Sequence, residues 1–242
     1  MIPALRDLDA AVHKNRDPAK LTSALKTAAS KHAAPYDPVV RHLCNYVLHA
    51  TTHEQAFERI QRAQAMYTSA VTQALATAGI KFGRHSVAVL GEDTLVSDAL
   101  NKSQATAHVI GTGVGLKRRL FSYPPLAMRQ ALKHADMALI PGILVTPTKV
   151  IAPMGAELLA DVCKQYGIPC YALTLGLRFA HHDEHLPQLH GAQPVSRKSG
   201  HRTVHQATYE RIDPDSVSVI SELGVFSHAR FIDEVQHHYP WL

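Results

Sequence analysis

Glycine is absent from this chain until Gly79, and from there the spacing of apolar residues changes from a helical pattern to an alternation of strand and helix. Before Gly79, Ala, Leu, Lys and Gln dominate, and prolines divide the sequence into short amphipathic pieces. Asp17-Pro18 and Asp37-Pro38 each place a capping carboxylate before a proline at the first helical position, where its missing N–H is no loss. Thr52 is placed to cap a longer helix, along which Ala56, Ile60, Ala63, Tyr67, Ala70, Val71 and Leu75 form one apolar stripe. After Gly79, HSVAVL, AHVIG, DMALI, KVIA, CYALTL and SVSVI are apolar runs of strand length with helical stretches between most of them. Such alternation folds as a mostly parallel sheet, because each crossover helix covers a face of the sheet. The expected fold class is α/β. Residues 1–80 form an N-terminal helical domain, and residues 81–242 form a Rossmann-like domain with a mostly parallel sheet and flanking helices.

A content of 46% hydrophobic and 19% charged residues suits a folded core and argues against disorder. No apolar run reaches the roughly eighteen residues of a membrane-spanning helix. The first residues, MIPALRDLDAAVHK, carry Asp7 and Asp9 and lack an apolar signal core, so secretion is not expected. Three cysteines, Cys44, Cys163 and Cys170, fit a reduced, cytoplasmic protein, and the last two sit among apolar neighbours as buried thiols. The net charge of +5 is scattered: only Lys117, Arg118 and Arg119 cluster, without interleaved aromatics, so direct nucleic-acid binding is not expected. The segment His181–Gln206 is polar, lacks apolar rhythm and reads as a long exposed loop. Its histidines, among them His182 and His185, lack the helical pairing and supporting carboxylate of a metal site, so neither a metal nor a cofactor is expected.

Open α/β sheets bind ligands beyond the carboxyl ends of their strands, which makes three strand ends candidates. In VAVLGEDTLVSDAL, Gly91 ends a strand and Asp93 or Thr94 can cap the next helix, whose free N–H groups attract an anion; the plainer reading is a capped turn. In AHVIGTGVGLKRRL, Gly111, Gly113 and Gly115 precede a basic helix start, but match neither the P-loop nor the dinucleotide pattern, and a turn is expected. In ALIPGILVTPTKVIAPMGA no carboxylate lies between Asp136 and Glu157, and Gly155 introduces a helix N-terminus. Arg178 can meet a phosphate, a partner carboxylate or an internal one.

The run ADMALIPGILVTPTKVIAPMGAELLADVCKQYGIPCYALTLGLRF at 135–179, with the closing YERIDPDSVSVISELGVF, resembles the alpha/beta/delta regulatory subunits of translation initiation factor 2B. The methylthioribose-1-phosphate and ribose-1,5-bisphosphate isomerases share that family's fold. The resemblance implies several assignments. Gly91, Thr94, Leu95 and Val96 match the regulatory subunits' T-x-G-x-S-S-L-V turn, near which the isomerases carry a catalytic cysteine, whereas no cysteine lies between Cys44 and Cys163 here. The isomerases' catalytic aspartate falls on Gly142, and their Asn-Lys-x-Gly-Thr phosphate turn falls on Ala152, Pro153 and Ala156 around Gly155. Arg178 stands for a family lysine, Arg119 retains a basic contact, and the segment up to Pro125 is shorter than the family's by about one helix–strand unit. Glu222, Leu223 and Gly224 match a closing turn near the family's two-fold axis, before a last helix from Phe231 to Tyr239.

No catalytic residue is therefore expected. Gly91, Thr94, Arg119, Gly155 and Arg178 are the expected phosphate or partner contacts, and Glu222, Gly224, Phe231 and Val235 the expected interface. The implied role is a silent scaffold subunit supporting guanine-nucleotide exchange on initiation factor 2. Its partners would be a second copy or a related subunit, the other initiation factor 2B subunits, and initiation factor 2 itself. Two rival expectations stand beside it. One is an aldose–ketose sugar-phosphate isomerase with Glu92, Asp93 or Glu157 as base. The other is a sugar-phosphate or nucleotide sensor using Arg178, Arg119 and the helix N-termini near Gly91 and Gly155.

Overall fold

The computed structural model describes residues 3–14, 18–32, 38–91, 93–111, 116, 120–181, 193–194, 205–206 and 209–242. Four helices come first: α1 (Pro3–Lys14), α2 (Pro18–His32), α3 (Pro38–Leu48) and α4 (His53–Phe82). Thr52 caps α4 as its sequence position predicts, its side chain accepting the N–H of Gln55. The stripe from Ala56 to Leu75 faces inward, and α4 runs 30 residues without a break. Asp17 and Asp37, the other two expected caps, lie outside the described residues.

Gly83, Arg84 and His85 carry α4 into β1 (Ser86–Leu90), and strands and helices then alternate. They are α5 (Thr94–Lys102), β2 (Thr106–Ile110), β3 (Leu120–Tyr123), α6 (Met128–Leu132), β4 (Met137–Pro141), β5 (Leu144–Val145), β6 (Val150–Pro153), α7 (Ala156–Tyr166) and β7 (Cys170–Leu173). A two-residue pair, β8 (Gln193–Pro194) with β9 (His205–Gln206), precedes β10 (Tyr209–Ile212), β11 (Ser218–Ser221), β12 (Gly224–Ser227) and α8 (His228–His238).

The main sheet has seven strands in the order β12-β11-β7-β4-β1-β2-β3 and is parallel except for β12. Its central strands read as continuous apolar runs because both faces are covered: Val87 to Leu90 and Met137 to Pro141 are all buried. The chain lays β2 and β3 on one side of β1, then crosses to β4 on the other. That reversal puts the topological switch point between β1 and β4.

Four expectations need correcting. KVIA forms β6, but in a separate antiparallel sheet, β10-β6-β5, rather than in the main one. The segment expected to start a basic helix after Gly115 instead yields β3, which pairs with β2 from Ala107↔Leu120 to Ile110↔Tyr123. As an edge strand with Leu120 and Phe121 exposed, it carries no buried face to mark it. The loop expected over 181–206 contains the β8–β9 pair. The last helix starts at His228 rather than Phe231, because Ser227 caps it by accepting the N–H of Arg230. No helix among the described residues is long and apolar enough to cross a membrane.

Candidate functional site

The switch point gathers the ends of β1, β4 and β7, and with them Gly91, Asp93, Gly142 and Arg178, which the sequence scatters over 88 positions. Gly91 follows β1 with φ of 89°, a backbone region that side chains disfavour. A Cβ there would lie 2.8 Å from Pro153 Cγ and 3.3 Å from Pro141 Cγ, so the ends of β4 and β6 close directly over it.

Asp93 caps α5: its Oδ1 accepts the N–H groups of Leu95 at 2.7 Å and Val96 at 3.4 Å. Its other oxygen accepts from the Arg178 guanidinium at 3.0 Å, across 85 residues of chain. The two side chains are only 10% and 19% exposed, which makes this a largely desolvated pair. A second nitrogen of Arg178 donates to the Gly142 carbonyl at 3.1 Å, and the Thr174 hydroxyl donates to the same carbonyl at 2.8 Å. Gly142, where the family resemblance looks for a catalytic aspartate, is hemmed in: a Cβ would meet Thr174 Cβ at 3.0 Å.

The N-terminus of α7 is filled in a similar way. Gly155 leads into it with φ of 94°, and the N–H of Glu157 donates to a carboxylate oxygen of Glu210 at 2.5 Å. Glu210 comes from β10, which runs antiparallel to β6 and sets Glu210 opposite Ala152. An internal carboxylate thus sits where a helix N-terminus would otherwise attract an external anion.

Of the expected contacts, the structure brings Gly91 and Arg178 together through Asp93, places Gly155 under Glu210, and leaves Thr94 exposed as the first residue of α5. Arg119 and Glu92 lie outside the described residues, as do Gly113 and Gly115. Sequence reading missed Glu210 and Thr174, and neither carries a local signal, since their roles arise only from strand pairing.

The four expected interface residues lie on the β11–β12 hairpin and α8, at the far edge of the sheet. Phe231 and Val235 are wholly buried within the chain itself. Glu222, 8% exposed, accepts the N–H of Gly176 at both carboxylate oxygens (2.9 and 3.0 Å) and the hydroxyl of Tyr239 at 2.8 Å. Burial pushes the Glu222 carboxyl above its ordinary range, and the donors from Tyr239 and Gly176 oppose that rise. Gly224 closes the hairpin with φ of 138°, and a Cβ there would meet the Phe226 ring at 2.8 Å. Among the described residues no group of three or more His, Cys, Asp or Glu could hold a metal ion.

No protein-family model matches the sequence, and no curated protein matches it either. Solved structures do. The chain superposes on the translation initiation factor eIF-2B from Pyrococcus horikoshii OT3 with a TM-score of 0.74 at 13% identity, over 94% of this chain and 90% of that one. A chain of the tetrameric eIF2B-beta2-delta2 complex from C. thermophilum gives 0.69 at 17% identity, over 98% and 87% of the two chains. This chain has the initiation factor 2B subunit fold. The same fold carries 5-methylthioribose 1-phosphate isomerase from Pyrococcus horikoshii OT3, which matches at 0.70 with 10% identity over 97% of this chain and 82% of that one. The initiation factor 2B fold therefore extends over nearly the whole chain, N-terminal helices included.

Proposed function

We propose that this chain is an enzymatically silent subunit of the initiation factor 2B type, one that acts through its protein surfaces in a guanine-nucleotide exchange assembly. The observation that carries the reading is that the anion positions at the switch point are filled by the chain's own carboxylates. Asp93 occupies the N-terminus of α5 and neutralises Arg178, while Glu210 occupies the N-terminus of α7. A sugar phosphate entering here would meet two negative charges and an arginine already paired. An aldose–ketose isomerisation also needs a base free to move a proton between adjacent carbons. Both oxygens of Asp93 are engaged, and the position after β4 is a glycine with no room for a side chain. The assembly, the partners and the dimeric state belong to this proposal, supported by the tetrameric complex formed by proteins of the same fold.

Two measurements test it. The mass of the purified protein, alone and after capture from extract of its source cells, is expected to reveal a dimer carrying identified initiation factor 2 or 2B subunits. Incubation with 5-methylthioribose 1-phosphate or ribose 1,5-bisphosphate is expected to give no ketose product. Turnover of either sugar phosphate, lost on substitution of Glu92, Asp93 or Glu157, would overturn the reading in favour of an isomerase.

A further inference from the structure

The helices α4, α5, α6 and α7 lead into the strands β1, β2, β4 and β7, so their carboxyl ends meet at the amino edge of the parallel sheet, opposite the edge that holds the switch point. Backbone hydrogen bonds set those strand starts side by side. The N–H of Thr106 donates to the His85 carbonyl at 3.0 Å, that of Asp136 to Ser86 at 2.8 Å, and that of Ala138 to Pro169 at 2.9 Å. Helix C-termini favour cations, and cations stand here: Lys102 ends α5, Arg129 and Lys133 close α6, and Arg84 follows α4. Charge that is scattered in the sequence is thereby collected along one edge.

All four cations are exposed, and none forms an ion pair among the described residues. Arg84 is steadied by donating to the Gln104 side-chain oxygen at 2.9 Å. Asp136 is the acid between these strand starts, and it is already engaged. Its Oδ2 accepts the Ser86 N–H at 2.8 Å and lies 3.4 Å from His85. Asp98, a turn back on α5, is exposed and pairs with none of the four. α6 itself carries no carboxylate.

Beside these cations stand stacked rings. Phe121 of β3 lies 5.1 Å from the His108 ring at an interplanar angle of 14°, and His134, next to Lys133, lies 6.0 Å from the same ring at 19°. His108 is buried and its Nδ1 is bonded to the Tyr123 hydroxyl at 3.2 Å, which fixes the ring that the other two lean on. Phe121 is 53% exposed, and His134 is exposed too. Single-stranded nucleic acids are held by such a combination, their phosphates on Lys and Arg and their bases stacked on aromatic rings. An acidic peptide or an anionic bilayer surface would use the cations but not the stacked rings.

We propose that this edge binds single-stranded nucleic acid, with phosphates on Arg84, Lys102, Arg129 and Lys133 and a base on Phe121. Ribose and deoxyribose polymers share this chemistry. The strip shares no residue with the switch point, and binding here is read separately from the assembly and turnover tests of the scaffold reading.

Fluorescence anisotropy of labelled oligouridylate and oligothymidylate, each about twelve nucleotides long, tests this with the full-length protein. At about 50 mM salt, saturable micromolar binding is expected for at least one of them, and the tighter identifies the sugar. Affinity should fall with salt at a log–log slope of about −2, as for roughly three phosphate contacts on a single strand. The pair Arg129→Ala and Lys133→Ala should weaken binding about tenfold and make that slope shallower. Lys20→Ala with Lys26→Ala removes the same charge from exposed positions of α2 and should change neither. Phe121→Ala should weaken binding at least about fivefold at an unchanged slope. Because Phe121 also packs on His108, Phe121→Tyr provides a second variant, which keeps the ring and should keep the affinity. The proposal is overturned by no saturable binding of either oligonucleotide, or by polyglutamate or phosphatidylserine vesicles binding as tightly. It is equally overturned by an equal loss in the α2 variant, or by a folded Phe121→Ala protein that binds unchanged.

Discussion

Replacing Tyr239 by phenylalanine removes one oxygen atom and leaves the ring packed against Gly176, where even a Cβ would come within 2.6 Å of it. The lost hydroxyl donates at 2.8 Å to Glu222, and the two residues are 7% and 8% exposed, so solvent cannot readily replace the bond. A hydrogen bond to a charged acceptor is worth about 1.5–3 kcal/mol, and the middle of that range is about 2 kcal/mol. For a chain of this size 1 kcal/mol moves the melting temperature by about 2–4 °C, so Tyr239→Phe is expected to melt roughly 4–8 °C lower. Urea unfolding should show a lower midpoint at unchanged slope. The effect should also depend on pH. Burial raises the folded-state pKa of Glu222, so the folded chain holds that proton more tightly than the unfolded chain. Its contribution is fully present below the unfolded pKa and is lost as pH rises towards the folded value. The Tyr239 hydroxyl offsets this loss by donating to the charged form, so its absence should cost most in mildly alkaline solution and least in acid. Repeating the substitution in a Glu222→Gln background closes a double-mutant cycle. A melting difference that is the same in both backgrounds, or flat with pH, would refute the reasoning.

Arg178→Ala strips the partner from a nearly buried Asp93; breaking a buried pair costs about 3–5 kcal/mol, and the 19% exposure of Arg178 places the expected loss near the lower end, read by urea unfolding. Arg178→Lys should recover only part of it, because an ammonium cannot reach both Asp93 and the Gly142 carbonyl with a fixed fork. His42, whose pKa burial lowers from its ordinary 6.5 to about 4, should cost the fold up to roughly 3 kcal/mol as pH falls between those values, and His42→Gln should flatten that acid limb of the stability profile. Gly91→Ala should destabilise by about 2–4 kcal/mol, combining its left-handed backbone with the Pro153 clash, whereas Gly111→Ala, at φ of 92° with open space around it, should cost only the backbone strain of about 1 kcal/mol, both measured by thermal melting.

The core strands were legible because a parallel strand buried on both faces needs an unbroken apolar run, and VAVL, MALI and CYAL are such runs. Thr52 was legible because capping is local chemistry: its side chain accepts the N–H of Gln55. LFSY was not, since an edge strand with exposed Leu120 and Phe121 lacks that pattern. Gly91, Gly155 and Arg178 could be selected as candidates from turn and charge chemistry alone. What each does could not, because Asp93–Arg178 spans 85 residues and Glu157–Glu210 spans 53. Such contacts exist only once strand order and register are set.

The unbroken course of α4 has a mechanical consequence. At 1.5 Å per residue its 30 residues make a rod about 45 Å long, which packs on α1 and α3 at one stretch and on α5 and β11 at another. No proline interrupts it, and its single glycine, Gly79, sits in the last turn. A rod seated in both the helices and the sheet leaves little freedom for a hinge between them. A displacement of the N-terminal helices is thereby coupled through one continuous helix to β11.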